Sequence, residues 1–198
     1  MVIGLNVSCF TISNRVTMQK EFKNKDIESL IVEEFSRCKD FVVNVMKYKT
    51  IEDVGLAIVY YDEIMSKYNV EGWADLENKT VNISVPDIST DEIFYIDYLI
   101  GHELGHIIAD VMGVDGITEG IAEVVGAYIA HSLSGSKSLK EDIIKTLDAF
   151  LANERYDQEA KDDVIEAKKE LVAYDKDDIE EFIKRLITKK QLKETKRE

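Results

Sequence analysis

The sequence predicts an α+β fold: a backing helix, a small three-stranded mixed sheet and two further helices, followed by a helical C-terminal extension. Three observations predict it. Apolar residues recur at helical spacing over 26–49, alternate at strand spacing over 80–85, and return to helical spacing from residue 89 onward. The 198 residues suit one domain with an appendage and are enough to bury a core. Ser134-Gly135-Ser136 marks the expected boundary between a domain over 1–135 and an extension over 136–198.

The backing helix is expected over Asp26 to Lys49, where Ile27, Leu30, Ile31, Phe35, Phe41, Val42, Val45 and Met46 fall on one face. Val54 to Tyr61 is a continuous apolar run and is expected as a buried strand. Gly72 to Leu76, a turn at Glu77-Asn78-Lys79, and Thr80 to Val85 form an expected hairpin. In its second arm Val81, Ile83 and Val85 alternate with Asn82 and Ser84, which suits a strand with one wet face. Ser89-Thr90-Asp91-Glu92 has the form of a capping box and opens a helix to about Met112, stopped by Gly113. Thr118 can cap the next helix, Glu119 to about Ser132. Three charged amphipathic helices then follow, near 139–151, 158–173 and 177–192.

A net charge of −14 argues against nucleic acid, because phosphate binding needs a Lys/Arg footprint. The one basic stretch, Lys184 to Arg197, is interleaved with glutamates and apolar residues and reads as a solvated helix face. No apolar run approaches the about 20 residues of a membrane-spanning helix, so no membrane partner is expected. Met-Val-Ile-Gly-Leu-Asn-Val-Ser lacks the basic start and apolar core of a signal peptide. Cys9 and Cys38 are too few for a disulfide framework. The expected compartment is the cytoplasm, with reduced thiols; nothing fixes an oligomeric state.

Gly101-His102-Glu103-Leu104-Gly105-His106 carries the chemistry. Residues four apart share a helix face about 6 Å apart along the axis, so two imidazoles can hold one metal. Zinc takes His nitrogen at about 2.0–2.1 Å and, in catalytic sites, three protein ligands. Glu103 stands about 100° round the helix from His102, too far to join the pair but placed to act as a base on water beside the metal. Chance gives this His-Glu-X-X-His pattern in well under about one protein in a hundred of this size, and two of the chain's three histidines fall in it. Ile93, Ile100, Leu104, Ile107 and Val111 form an apolar stripe opposite the histidines, so the helix can be buried behind a metal face.

The third ligand separates families. Three and six residues past His106, where metzincins carry Gly and His, stand Ala109 and Met112. Cys38, in Arg37-Cys38-Lys39, does not match the cysteine segment of peptide deformylases. The downstream segment Thr118-Glu119-Gly120-Ile121-Ala122-Glu123 instead resembles the gluzincins, zinc metallopeptidases in which a glutamate on a second helix completes the site. The order of helix, three strands, motif helix and glutamate helix resembles the minimal soluble members of that class. The resemblance covers roughly residues 26–134, and its specific part is His102–Tyr128.

It implies zinc, one ion per chain, held by His102, His106 and Glu119, with Glu123 orienting a histidine and Glu103 as general base. Ala122, Gly126 and Ala130 follow Glu119, and Gly101 and Gly105 flank the histidines, so the two helices can approach closely. Twelve residues separate His106 from Glu119, fewer than in most gluzincins, which keeps Glu123 as an alternative ligand. In such enzymes the strand before the motif helix, here Thr80–Val85, offers an edge to an extended peptide. Tyr95 and Tyr98 share the face of His102 and either line the cleft or pack on the sheet. His131, about 120° round its helix from Glu119, reads as a surface histidine. The expected activity is peptide-bond hydrolysis on a peptide or protein substrate. The alternative is a zinc-stabilised regulatory or binding module, or a latent enzyme covered by its own extension.

Overall fold

The computed structural model describes residues 24–60, 71–84, 92–154 and 156–194 and has the expected α+β class. The N-terminus with Cys9, Tyr61, Val85, the capping-box residues Ser89 to Asp91 and the basic end of the tail lie outside the described residues. Helix α1 (Asn24–Asn44) buries Ile31, Phe35, Cys38 and Val42 at spacings of three and four residues, which is one helical face. It stops short of the expected Lys49. Lys47 adopts a left-handed φ of 67°, and Tyr48 N–H bonds the Val42 carbonyl at 3.1 Å, the pattern that closes a helix end. The apolar periodicity runs on because Met46 is still fully buried outside the helix. Arg37 reaches from α1 to both Glu34 and the buried Asp97 of the next helix.

Strands β1 (Gly55–Val59), β2 (Gly72–Asp75) and β3 (Thr80–Ser84) form a mixed sheet in the order β1-β3-β2. The expected hairpin is present, with Asp75 accepting from the Asn78 N–H at 3.0 Å across the turn. Two expectations are corrected. β3 has no wet face: it is the central strand, parallel to β1 and antiparallel to β2, and Asn82 and Ser84 are buried along with Val81 and Ile83. β1 is half-buried along its whole length instead of buried, because it is an edge. A hairpin pattern cannot reveal which of its two arms will accept a third strand, and here β1 took the second.

Helix α2 (Ile93–Val111) crosses the sheet and is buried almost all round, from Tyr95 to Gly105. The stripe residues Ile100, Leu104 and Ile107 are fully enclosed, whereas Ile93 at the helix start is 45% exposed. Gly113, with φ 74°, ends α2 where expected, and Val114 N–H returns to the Ala109 carbonyl at 2.9 Å. Helix α3 (Glu119–Leu133) runs back against α2, buried from Glu119 to Ala130. On its other side pack α4 (Leu139–Ala152), α5 (Gln158–Ala173) and α6 (Ile179–Glu194). Val164, Leu171 and Ile183 from these helices belong to the same hydrophobic cluster as Ile31, Leu104 and Val125. Among the described residues no helix is long and apolar enough to cross a membrane.

The α2–α3 contact is made backbone to backbone. A Cβ at Gly105 would fall 2.6 Å from the Ala122 Cα, and one at Gly126 would fall 2.9 Å from the His102 nitrogen. Gly105→Ala therefore discriminates two effects of opposite sign. Helix propensity favours alanine by about 0.5–1 kcal/mol, while overpacking costs about 1–3 kcal/mol. The expected outcome is a lower melting temperature for chelator-treated protein; a higher one would show that the helices have room to separate.

Candidate metal centre

One turn apart on α2, His102 and His106 turn their Nε2 atoms towards each other at 3.0 Å. Glu119, the first residue of α3, brings Oε2 to 3.6 Å from His102 Nε2 and Oε1 to 3.6 Å from His106 Nε2. These three side chains form a metal-capable cluster, with their ligand atoms all within 4.8 Å of one another. A tetrahedral ion with bonds near 2.05 Å holds its ligand atoms roughly 3.3 Å apart, near the 3.0 Å between the imidazoles and the 3.6 Å from each to a Glu119 oxygen.

The other ring nitrogens are occupied from outside. His102 Nδ1 faces Glu123 Oε1 at 3.1 Å, and the Tyr98 hydroxyl donates to the second oxygen of Glu123. His106 Nδ1 lies 2.7 Å from Thr118 Oγ1. With the proton of each neutral ring on Nδ1, both Nε2 lone pairs point into the cluster, the tautomer a metal needs. Glu123 thus lies behind His102, on the ring nitrogen turned away from the cluster. Glu119, by contrast, stands among the metal-capable atoms. Thr118 was expected as a helix cap, yet its side chain makes no capping bond and serves His106 instead. Tyr98 neither lines the cleft nor packs on the sheet through its hydroxyl. Their sequence signals, a threonine before a helix and a tyrosine on its face, are too common to single either out.

Electrostatics supply a second test of the cluster. Burial pushes the carboxyls of Glu103 and Glu119 up to about 7. Burial pulls the His102 imidazole down, but the hydrogen bond and charge of Glu123, then Glu119 and Glu103, outweigh it and hold the ring at about 9. His106 is pushed well below the usual imidazole range by burial, then by the charges of His102 and Lys190. Glu119 and Glu123 have ion pairs only with the two histidines among the described residues. Glu119 Oε2 is buried without a hydrogen-bond partner. A buried donor set with an acidic surplus and an orphaned oxygen fits a divalent cation, which supplies the missing positive charge.

Glu103, 2% exposed, does not join the ligand atoms. Its carboxylate accepts the Ala74 N–H of β2 and sits over Gly72, where a Cβ would come 3.3 Å from Oε1. Ser84 N–H bonds the Glu71 carbonyl at 2.8 Å, so alternation turns Gly72 and Ala74 away from β3 towards the free edge. A cavity of about 460 Å³ opens there, bounded by Trp73, Ala74 and Leu76 on one side and by Glu103, His106 and Glu119 on the other. Asp157 and Glu159 of the extension reach its rim. The strand bordering the cleft is therefore β2. The expected strand, Thr80–Val85, supplies β3, whose two edges are both paired.

His131 is also corrected. It is half-buried, bonded to Thr146 at 2.9 Å and tilted against Phe94 with ring centres 4.8 Å apart, a packing role between α3 and α4. Comparison with family models, curated proteins and solved structures finds no match for this chain.

The contrast between the two glutamates can be measured by chelator competition. If Glu119 holds the metal, Glu119→Ala should collapse zinc affinity. Glu123→Ala frees one face of His102 and should cost about 10–100-fold, as orienting partners do. The reverse order would move the ligand one helical turn along α3.

Proposed function

We propose that this chain is a zinc-dependent peptidase of gluzincin type, with one zinc per chain held by His102, His106 and Glu119. The observation that carries the reading is the convergence of two Nε2 atoms and one carboxylate at the wall of a cavity that Glu103 also faces. A zinc ion bound there would supply Lewis-acid polarisation of a carbonyl and would acidify water towards about pH 7.

The chain's own residues then divide the remaining work. Glu103, held by Ala74 and raised to about 7 by burial, is suited to take a proton from water and return it to a leaving amine. Glu123 and Thr118 hold the two imidazoles in register. The free edge of β2 offers the backbone groups of Gly72 and the carbonyl of Ala74 to an extended peptide, which can add along it. The cavity falls within the about 300–1,000 Å³ of ordinary ligand sites and accommodates a few side chains. Peptide or protein is accordingly the proposed substrate class, and the cytoplasm the proposed compartment, on the scarcity of cysteine.

The reading is tested by metal content and by cleavage of casein and quenched peptides. His102→Ala with His106→Ala should abolish zinc; full retention of metal would sink the proposal. Glu103→Gln should retain zinc while peptidase activity falls by about 10²–10⁴-fold, the usual contribution of a general base. Equal activity in Glu103→Gln would remove Glu103 as the base, and zinc binding with no cleavage by the unaltered chain would leave a metal-stabilised binding module as the better description.

A further inference from the structure

The connection between His106 and Glu119 is short and weakly self-supporting. It contains Gly113 and Gly116, both at positive φ, and it ends on Thr118. An N-cap threonine ordinarily accepts the backbone N–H of the second or third helical residue. Thr118 makes no such bond, because its hydroxyl is committed to His106 Nδ1. The first turn of α3 is left with a donor to satisfy, in the turn that carries Glu119.

That donor is met from the C-terminal extension. The Gly120 N–H, second in α3, donates to Asp163 Oδ2 of α5 at 2.7 Å. The other oxygen of Asp163 pairs with Lys190 of α6, and Lys190 also donates to the Ile117 carbonyl at 2.6 Å. Both charged side chains are largely enclosed. The approach is as close as atoms allow: a Cβ at position 120 would fall 2.7 Å from the Asp163 carbonyl oxygen and 2.9 Å from Ala167 Cβ.

Resting on the zinc reading above, we infer that Asp163 and Lys190 are positioning residues of the metal centre, a cap supplied in trans that frees Thr118 to orient His106 and fixes Glu119 as a ligand. Asp163 replaces the bond that Thr118 gives up, and its negative charge at the start of α3 also suits the helix dipole. Lys190 fixes the Asp163 carboxylate and the carbonyl just before Thr118. The extension then acts as part of the site's scaffold, holding Gly120 and Ile117 on either side of Thr118 and Glu119 through two side chains.

The test uses full-length variants and two measurements, zinc affinity by chelator competition and amide exchange over residues 113–122 in chelator-treated protein. Asp163→Ala and Lys190→Met should speed exchange at Gly120 and weaken zinc by about 10–100-fold. Asp163→Asn, whose amide oxygen can still accept from Gly120 but whose NH2 then faces Lys190, should fall between the unaltered chain and Asp163→Ala in both measurements. Lys189→Met, which breaks the neighbouring pairs with Glu166 and Glu170 inside the extension, is the control and should change neither measurement. Faster exchange with unchanged zinc affinity would reduce the clamp to a structural contact and overturn the inference. So would an equal loss in Lys189→Met. If the unaltered chain binds no zinc, the functional reading itself fails, an outcome distinct from zinc binding that is indifferent to Asp163.

Discussion

Between Gly105 and Ala122 there is no space for a side chain, and that lack of space decides where Glu119 can stand. Two helices held apart by leucines would leave a glutamate on the second helix well away from imidazoles on the first. Here the backbones touch, with Gly101 against Gly126 and Gly105 against Ala122, and the carboxylate oxygens come to 3.6 Å from both rings. The same contact delivers Glu123 to the back of His102. Overpacking at any of these glycines acts on stability and on the geometry of the His102, His106 and Glu119 cluster together, because one surface serves both.

The closeness carries an electrostatic cost. Glu103, Glu119 and Glu123 are buried with two imidazoles, in a site enclosed by apolar residues of α2 and α3. Ions taken out of water are costly unless paired, and the fold offers these carboxylates histidines in place of lysines or arginines. The field that lifts His102 to about 9 is the field a divalent cation would feel, so affinity for protons and affinity for metal share one cause. The surrounding core bears this cost: Ile100, Leu104, Ile107, Ile121, Val124 and Val125 are all fully buried on the same two helices.

Legibility in the sequence follows the range of the interaction. His102, Glu103 and His106 lie within one helical turn, so their spacing alone sets their directions. The glycines and alanines of the second helix signalled a close contact, which the structure has. The hairpin was legible because its turn and both arms are contiguous. What could not be read depends on pairing across long separations. β1 joined β3, which made β3 central and passed the free edge to β2. Thr118 carried the ordinary mark of a cap, and only the tertiary fold diverts its hydroxyl to His106. Asp163 and Lys190 are two more charges in charged amphipathic helices, and no local pattern distinguishes them from Asp162 or Lys189.

The packing of the extension also changes what its removal would mean. A cover that merely occluded the cleft could be cut away to reveal activity. Here α4, α5 and α6 pack on the face of α3 opposite α2, and two of the bonds crossing that face, Asp163 to Gly120 and Lys190 to Ile117, reach the turn that carries Glu119. Ending the chain near Ser136 would expose a helix that is now buried from Glu119 to Ala130 and strip the cap from the turn bearing Glu119. Inactivity of such a fragment would then report loss of the site and would not argue against an occluding role for the extension. The informative alteration is a single exposed side chain at the cavity, Glu159, whereas Asp157, which also lines it, caps α5 through the Ala160 N–H and so supports the helix that carries Asp163.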